Sequence, residues 1–285
     1  MQKTIKPQLH QTHMKEMIMC WPRFVYRYGK TFDIWDDYEN RSVGVAALAG
    51  TAVHSGVEIG LVHKKKHKTK PQSGLMTEKT NETAIAEWDK GVRLFGGELD
   101  NIEKTKGIFI DRSINLTQLY YNKVMDDVTP IGIEEPFVIK LIGYDFDLAG
   151  RIDTRVYGGV KDVKTKGGAP DKGAAHSIQA CIYALAYQIR QKKKARFVHF
   201  DYLSTFKTKK GFSFHHYIRA VQVQDDFINP LYRRIEQFAT IIELARQQKI
   251  DPLRAAPAAD PSSWICTKKY CAYTDRCRFW SGRDE

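Results

Sequence analysis

The spacing of apolar residues predicts helices over Gln11–Tyr28, Ser42–His63, Asn81–Leu94, Arg112–Asp126, His176–Lys193 and Asp225–Gln248. Asp147–Thr154 alternates well enough to read as a strand and Val160–Thr165 reads as another, and Tyr157-Gly158-Gly159 between them can supply the positive φ angles of a tight hairpin. Three more strands are predicted: Phe137–Ile142, introduced by Glu134-Glu135-Pro136 read as turn residues, then Phe197–Thr205 and Phe212–Val223 around the basic turn Lys207–Gly211. Lys64–Gly74 is polar and basic and reads as a loop. Asp251–Ser263, rich in Ala and Pro, reads as an extended connector. Helices mixed with strands in this order make an α/β protein.

The hairpin concentrates the chemistry. A turn at 157–158 sets Asp153 opposite Asp162, and a turn at 158–159 sets it opposite Lys164. Either register leaves Asp153, Asp162 and Lys164 on one face, because side chains alternate along a strand. Two carboxylates side by side are costly unless a cation balances them, and paired oxygens suit a hard ion such as Mg²⁺ or Mn²⁺. Lys164, two residues beyond Asp162, can orient water or add positive charge at a scissile phosphate. The competing reading is an exposed strand with solvated charges. Two helical pairs add candidates four residues apart on one face: His54 with Glu58, and Gln179 with Tyr183.

Composition narrows the partner. The 285 residues hold 45 Lys and Arg against 33 Asp and Glu, a net charge of +12 that favours a polyanion. Basic runs at Lys64–Lys70, Lys192–Arg196 and Lys207–Lys210 can track phosphates. No apolar run of membrane-spanning length is read from the sequence, and Met1–Cys20 lacks a signal-peptide core, so a cytoplasmic protein without a membrane partner is expected. Of five cysteines, Cys181 falls in a helix, while Cys20, Cys266, Cys271 and Cys277 offer four thiolates for zinc or an iron–sulfur cluster. Gly29-Lys30-Thr31 is not a phosphate loop, since Phe24 stands where that motif needs Gly.

Taken in order, Gly150-Arg151-Ile152-Asp153, Asp162-Val163-Lys164-Thr165 and Gln179-x-x-x-Tyr183 resemble the successive motifs of RecB-type PD-(D/E)XK nucleases. Gly50-x-x-x-His54-x-x-x-Glu58 matches a further motif of that family. Cys20-Trp21-Pro22-Arg23-Phe24-Val25-Tyr26-Arg27-Tyr28 resembles its C-P-R-x-F-x-Y-R-Y element, with Trp21 added. The resemblance runs from about Gln11 to Trp280, with gaps over 64–130, and is similar to the AddB-like, CRISPR-adaptation and phage nucleases.

The resemblance implies a restriction-endonuclease-like core, a central mixed sheet flanked by helices, and an iron–sulfur subdomain made by both termini. As one nuclease unit over 1–285, it implies a cluster subdomain from 11–30 plus 262–280. A mainly helical part, 42–130, carries His54, and the nuclease core is 131–250. It implies that His54, Asp153, Asp162 and the Val163 carbonyl hold Mg²⁺ or Mn²⁺, with Lys164 catalytic. Gln179, Tyr183, Glu58 and Glu135 support the site, and Cys20, Cys266, Cys271 and Cys277 hold a 4Fe–4S cluster. The implied activity is hydrolysis of single-stranded DNA ends, in DNA repair, recombination, phage DNA metabolism or CRISPR adaptation. A structure-specific endonuclease, a catalytically silent DNA-binding subunit and a zinc-stabilised interaction protein are the alternatives.

Overall fold

The alternating stretches build a six-stranded mixed sheet in a computed structural model that describes residues 6–35, 43–94, 98–173, 177–247 and 249–259, with Ser263, Cys266, Cys271, Tyr273 and Cys277. The strands β1 (Gln8–Leu9), β5 (Asp147–Val156), β6 (Gly159–Gly167), β7 (Phe197–Thr208) and β8 (Gly211–Gln222) lie in that order, and β4 (Gly132–Ile139) also pairs with β5. A separate parallel pair joins β2 (Val43–Gly44) to β3 (Val92–Arg93). The β5–β6 and β7–β8 pairs are antiparallel, whereas β6 and β7 run parallel. A parallel pair needs a crossover, and α6 (Ile178–Gln191) supplies it. Pairing of Thr154 with Lys161 and Val156 with Gly159 leaves Tyr157 and Gly158 as the turn, with Gly158 at φ 81°. Of the two registers the sequence allows, this is the one whose continuation sets Asp153 across from Asp162.

The helix expected over Gln11–Tyr28 is two helices, α1 (Gln11–Met19) and α2 (Trp21–Tyr28). Cys20 between them is extended, and Pro22 sits in the first turn of α2, where its missing N–H loses nothing. The predicted loop at Lys64–Gly74 is mostly helical: α3 runs Val45–His67 and α4 Ser73–Asp89. Lys64 is not a loop cation, because its ammonium donates to the Met125 and Asp126 carbonyls at 2.5 and 2.9 Å. The next helix, α5 (Ile102–Lys123), starts ten residues before the expected Arg112, where the Asn101 side chain caps the Lys104 N–H. α7 spans Asn229–Arg246.

The chain folds as two compact units. One consists of Met1–Arg41, Phe137–Gly150 and Asn229–Glu285. Its core is aromatic: Phe24, Phe32 and Phe238 have ring centroids 5.0–5.9 Å apart, with Phe146 5.3 Å from Phe238. The other consists of Ser42–Pro136 and Arg151–Ile228. There Val53, Val57 and Leu61 of α3 pack with Met76, Leu116, Tyr120, Val163 and Leu203. Contrary to the sequence reading, α3 is long and apolar enough for a membrane span, with a window of mean hydropathy 1.5. Its apolar residues instead serve the core shared with α4 and α5.

Close approach of these three helices depends on Gly56. A Cβ there would lie 2.0 Å from Thr80 Oγ1 and 2.7 Å from the Met76 carbonyl oxygen. Thr80 cannot yield freely, because its hydroxyl is bonded to Thr117 at 2.8 Å and to Met76 at 3.0 Å. Gly56→Ala would gain about 1 kcal/mol in helix propensity, but overpacking against a backbone carbonyl costs about 1–3 kcal/mol. The net expectation is a lower urea midpoint. Gly107→Ala, in α5 with nothing within 4 Å of the added methyl, is expected to raise that midpoint.

Candidate active site

Every residue of the site lies in the second unit. Strand pairing brings Asp153 of β5 and Asp162 of β6 together, and the Tyr183 hydroxyl lies 3.1 Å from Asp153 Oδ1 and 2.7 Å from Asp162 Oδ1. Gln179, one turn earlier on α6, donates to the Tyr183 oxygen at 2.8 Å and to Asp162 Oδ1 at 3.3 Å. Ser177 starts that helix by capping the Ala180 N–H, which fixes the level at which Gln179 and Tyr183 meet the sheet. Lys164 Nζ pairs with Asp162 Oδ2 at 2.6 Å. From α3, His54 Nδ1 stands 3.4 Å from Asp153 Oδ2. Burial lowers the His54 imidazole, opposed by Asp162 and by a hydrogen bond to the Val163 backbone.

A third acid completes the cluster, and it is Glu134 rather than Glu135. Ligand atoms of His54, Glu134 and Asp153 all lie within 4.8 Å of one another, the one such group among the described residues. Glu134 has φ 47° inside β4, a left-handed conformation that breaks the strand's alternation. Glu135 is held elsewhere, by Nε and Nη2 of Arg155 at 2.7 and 3.0 Å and by Arg190 at 3.2 Å. Asp162, fully buried, stands outside the three-ligand group beside Lys164. Glu58 lines the cleft and pushes the Glu134 carboxyl up without joining the group. These residues open into a cleft of about 660 Å³, whose wall also includes Gly50, Thr51, Ser55 and Arg151.

The electrostatics are those of a site short of positive charge. Burial and the neighbouring Asp162 hold the Asp153 carboxyl well above the usual carboxylate range, against the pull of Lys164. Glu134 is also raised, first by burial, with Arg151 opposing at 3.3 Å. Burial would lower the Lys164 ammonium, but Asp162 and Asp153 together hold it above its ordinary value, so it stays charged. Asp153 Oδ2 is buried with no hydrogen-bond partner among the described residues. An oxygen in that state beside an imidazole nitrogen and a second carboxylate suits a hard divalent cation. The residues therefore fit Mg²⁺ or Mn²⁺.

Two further groups of titratable side chains are present among the described residues. On the opposite face of the sheet Asp201 Oδ1 meets His199 Nε2 at 3.1 Å and His216 Nε2 at 2.8 Å. Burial would raise the Asp201 carboxyl, but those two bonds and Lys161 keep it well below the usual carboxylate range. The sequence reading assigned this cluster no chemistry. In the first unit, Cys20 is buried, Cys266, Cys271 and Cys277 are half-buried, and none is in a disulfide. Burial raises the Cys271 thiol, and Cys20 and Cys277 are near enough to push it up further. Most of the expected cluster segment 262–280 lies outside the described residues.

An acid–lysine pair beside a convergent His–Glu–Asp set, on a mixed α/β sheet, defines a metal-dependent nuclease class of site. The chain belongs to the PD-(D/E)XK nuclease superfamily, whose family model matches residues 8–278. No curated protein matches it at a significant level. Among solved structures, one from Eubacterium rectale named "Putative exonuclease" has a TM-score of 0.51 and 12% identity, covering 92% of this chain and 87% of that one, a likeness of fold. Another, of SSO0001, covers 94% of this chain and 95% of that one at 13% identity, but its TM-score of 0.31 carries no argument.

Glu134 and Glu135 separate by titration with Mn²⁺, read as paramagnetic signal or calorimetric heat. Glu134→Gln is expected to weaken binding about 10- to 100-fold, the range for losing a metal-site partner, and Glu135→Gln to leave affinity near wild type while lowering stability. Protons compete with the ion at carboxyls held high, so affinity should climb with pH beyond the ordinary carboxylate range near pH 4. Equal losses in both variants would place the ion elsewhere.

Proposed function

We propose that the protein is a Mg²⁺- or Mn²⁺-dependent deoxyribonuclease that hydrolyses phosphodiester bonds at single-stranded DNA ends. The observation that carries this reading is the convergence of His54, Glu134 and Asp153 within 4.8 Å beside the Asp162–Lys164 pair. Those three residues would hold the ion, with Asp162 and the Val163 carbonyl next to them. The ion supplies Lewis acidity at the phosphate and lowers the pKa of water. Lys164, charged and with 29% of its side chain open to the cleft, orients the attacking water and stabilises charge on the phosphate oxygens. Tyr183 and Gln179 fix the inner oxygens of both aspartates, so the outer oxygens face the reaction. DNA as substrate follows from the superfamily and agrees with the net charge of +12. Preference for single-stranded ends rests on the likeness of the motifs to RecB-type nucleases.

We also infer that Cys20, Cys266, Cys271 and Cys277 hold a 4Fe–4S cluster, a structural tie within the first unit. Support comes from the electrostatic proximity of Cys271 to Cys20 and Cys277 and from a donor set of thiols alone.

The activity is tested with end-labelled single-stranded DNA and circular DNA in Mn²⁺. Degradation of the linear strand alone is expected, with Lys164→Ala slower by about 10²–10³, as for removal of one electrostatic stabiliser. Cutting of circles would make the enzyme an endonuclease, and an inert wild type would leave a DNA-binding subunit. Anaerobically purified protein is expected to contain about four irons per chain and to lose them in Cys271→Ser. Stoichiometric zinc in their place would overturn the cluster assignment.

A further inference from the structure

The face of the sheet that carries Asp162 and Lys164 continues past the active site onto the β7–β8 hairpin. Register sets Lys164 beside Tyr202 on β7, then Tyr202 opposite Tyr217 and Ser204 opposite His215 on β8. Alternation places Phe206 on that same face, four residues beyond Tyr202 and therefore about 13 Å further along the strand. Tyr217 at the level of Tyr202, His215 at that of Ser204 and Phe206 beyond them form one aromatic group: Phe206 and His215 have centroids 5.2 Å apart, and Tyr217 is 6.4 Å from each. They are not core residues, since His215 is exposed and Phe206 and Tyr217 are half-buried. Phe214, on the other face of β8, is the one that packs against the core cluster. The turn that follows carries Lys209 and Lys210, both exposed, while Lys207 is exposed within β7 and alternates to the other face. Arg219 belongs to the same face but is committed to the Pro170 and Asp171 carbonyls.

We propose that Phe206, His215 and Tyr217 are a stacking platform for unpaired bases of the DNA strand whose phosphate lies at Lys164, with the turn lysines on its backbone. The proposal rests on the nuclease reading and adds to it the residues that select a single strand. Aromatic faces beside ammonium groups fit a flexible polyanion with exposed bases, because a base offers its π-face only when it is not stacked in a duplex. The group begins at the level of Lys164, and its far end, Phe206, is about 13 Å further along, about four nucleotides at a stacked spacing of about 3.4 Å. The same strand can therefore reach both places without leaving the sheet face. Charge supports this occupant over an apolar or acidic one.

The test measures binding of fluorescent oligo-dT and of a duplex of equal length, in EDTA, by wild type, Phe206→Leu, Tyr217→Leu and Phe206→Trp. Leucine keeps the bulk and removes the π-face. Each leucine variant is expected to bind the single strand about 5- to 100-fold more weakly, with a smaller change on duplex, and Phe206→Trp to restore binding. Equal losses on both forms, or none, would overturn the platform. If Phe206→Leu lowers the melting temperature, Lys209→Glu with Lys210→Glu tests the track at exposed positions, where a shallower salt dependence of single-strand binding is expected. Salt dependence like that of wild type would again count against it. Cleavage of the same oligo-dT by wild type with Mn²⁺ separates the two claims. No cleavage alongside ring-dependent binding removes the nuclease reading alone, and cleavage alongside unaltered variant binding removes the platform alone.

Discussion

A buried carboxylate, Asp162, and a half-buried one, Asp153, facing each other across the β5–β6 hairpin are the constraint on which the rest of the second unit depends. Like charges at that range in a poorly solvated place favour keeping a proton, and Asp153 is accordingly held high. Lys164 and the shared Tyr183 hydroxyl relieve part of the repulsion. The sign of the remainder follows from linkage. A carboxyl raised in the fold binds its proton more tightly there than in the unfolded chain, so its contribution to stability is present below its unfolded pKa and is lost as pH rises through the folded value. At neutral pH the metal-free fold thus carries an electrostatic cost at its own active site, and a bound cation removes it. The apolar cluster of Val156, Val163 and Leu203 with α3 and α5 holds the hairpin against that cost.

Helix α3 has to come close to the sheet for His54 to reach Asp153, and small residues make that approach possible. A Cβ at Gly50 would sit 3.3 Å from Thr165 Oγ1, one strand position from Lys164. Gly56, two residues past His54 and so on the far side of the helix, admits Thr80 and Thr117 from α4 and α5. The same helix therefore delivers a ligand on one side and a packing surface on the other. Its apolar composition is the signature of that double service, which is why it also meets the length and hydropathy of a membrane span.

Much of the site was legible because it is written in fixed periods. Alternation put Asp153, Asp162 and Lys164 on one face, and the four-residue helical period paired Gln179 with Tyr183. The period fails at Glu134. A residue with φ 47° inside a strand inverts the alternation locally, so Glu134 reaches the cleft, whereas the family resemblance had pointed to its neighbour Glu135. Glu135 is instead neutralised by Arg155 and Arg190, which come from β5 and α6 and could not be foreseen from local sequence. The Lys64–Gly74 stretch misled for a related reason. Lysines read as solvated until a carbonyl pair such as Met125 and Asp126 captures one of them.

Register is the last requirement, because a slip of one residue along β6 would carry Asp162 and Lys164 to the other face of the sheet and Lys161 and Val163 into the site. The buried Asp201 cluster opposes such a slip. Asp201 on β7 draws together His199 on its own strand, His216 on β8 and Lys161 on β6, all on the face opposite Lys164. Displacing β6 or β8 by one position would remove Lys161 or His216 and leave a buried carboxylate with fewer partners, which opposes the slip. An apolar pair at these positions would tolerate a shift at a smaller loss. A polar cluster on the opposite face of the sheet thus defends the alignment of the face that carries Asp162 and Lys164.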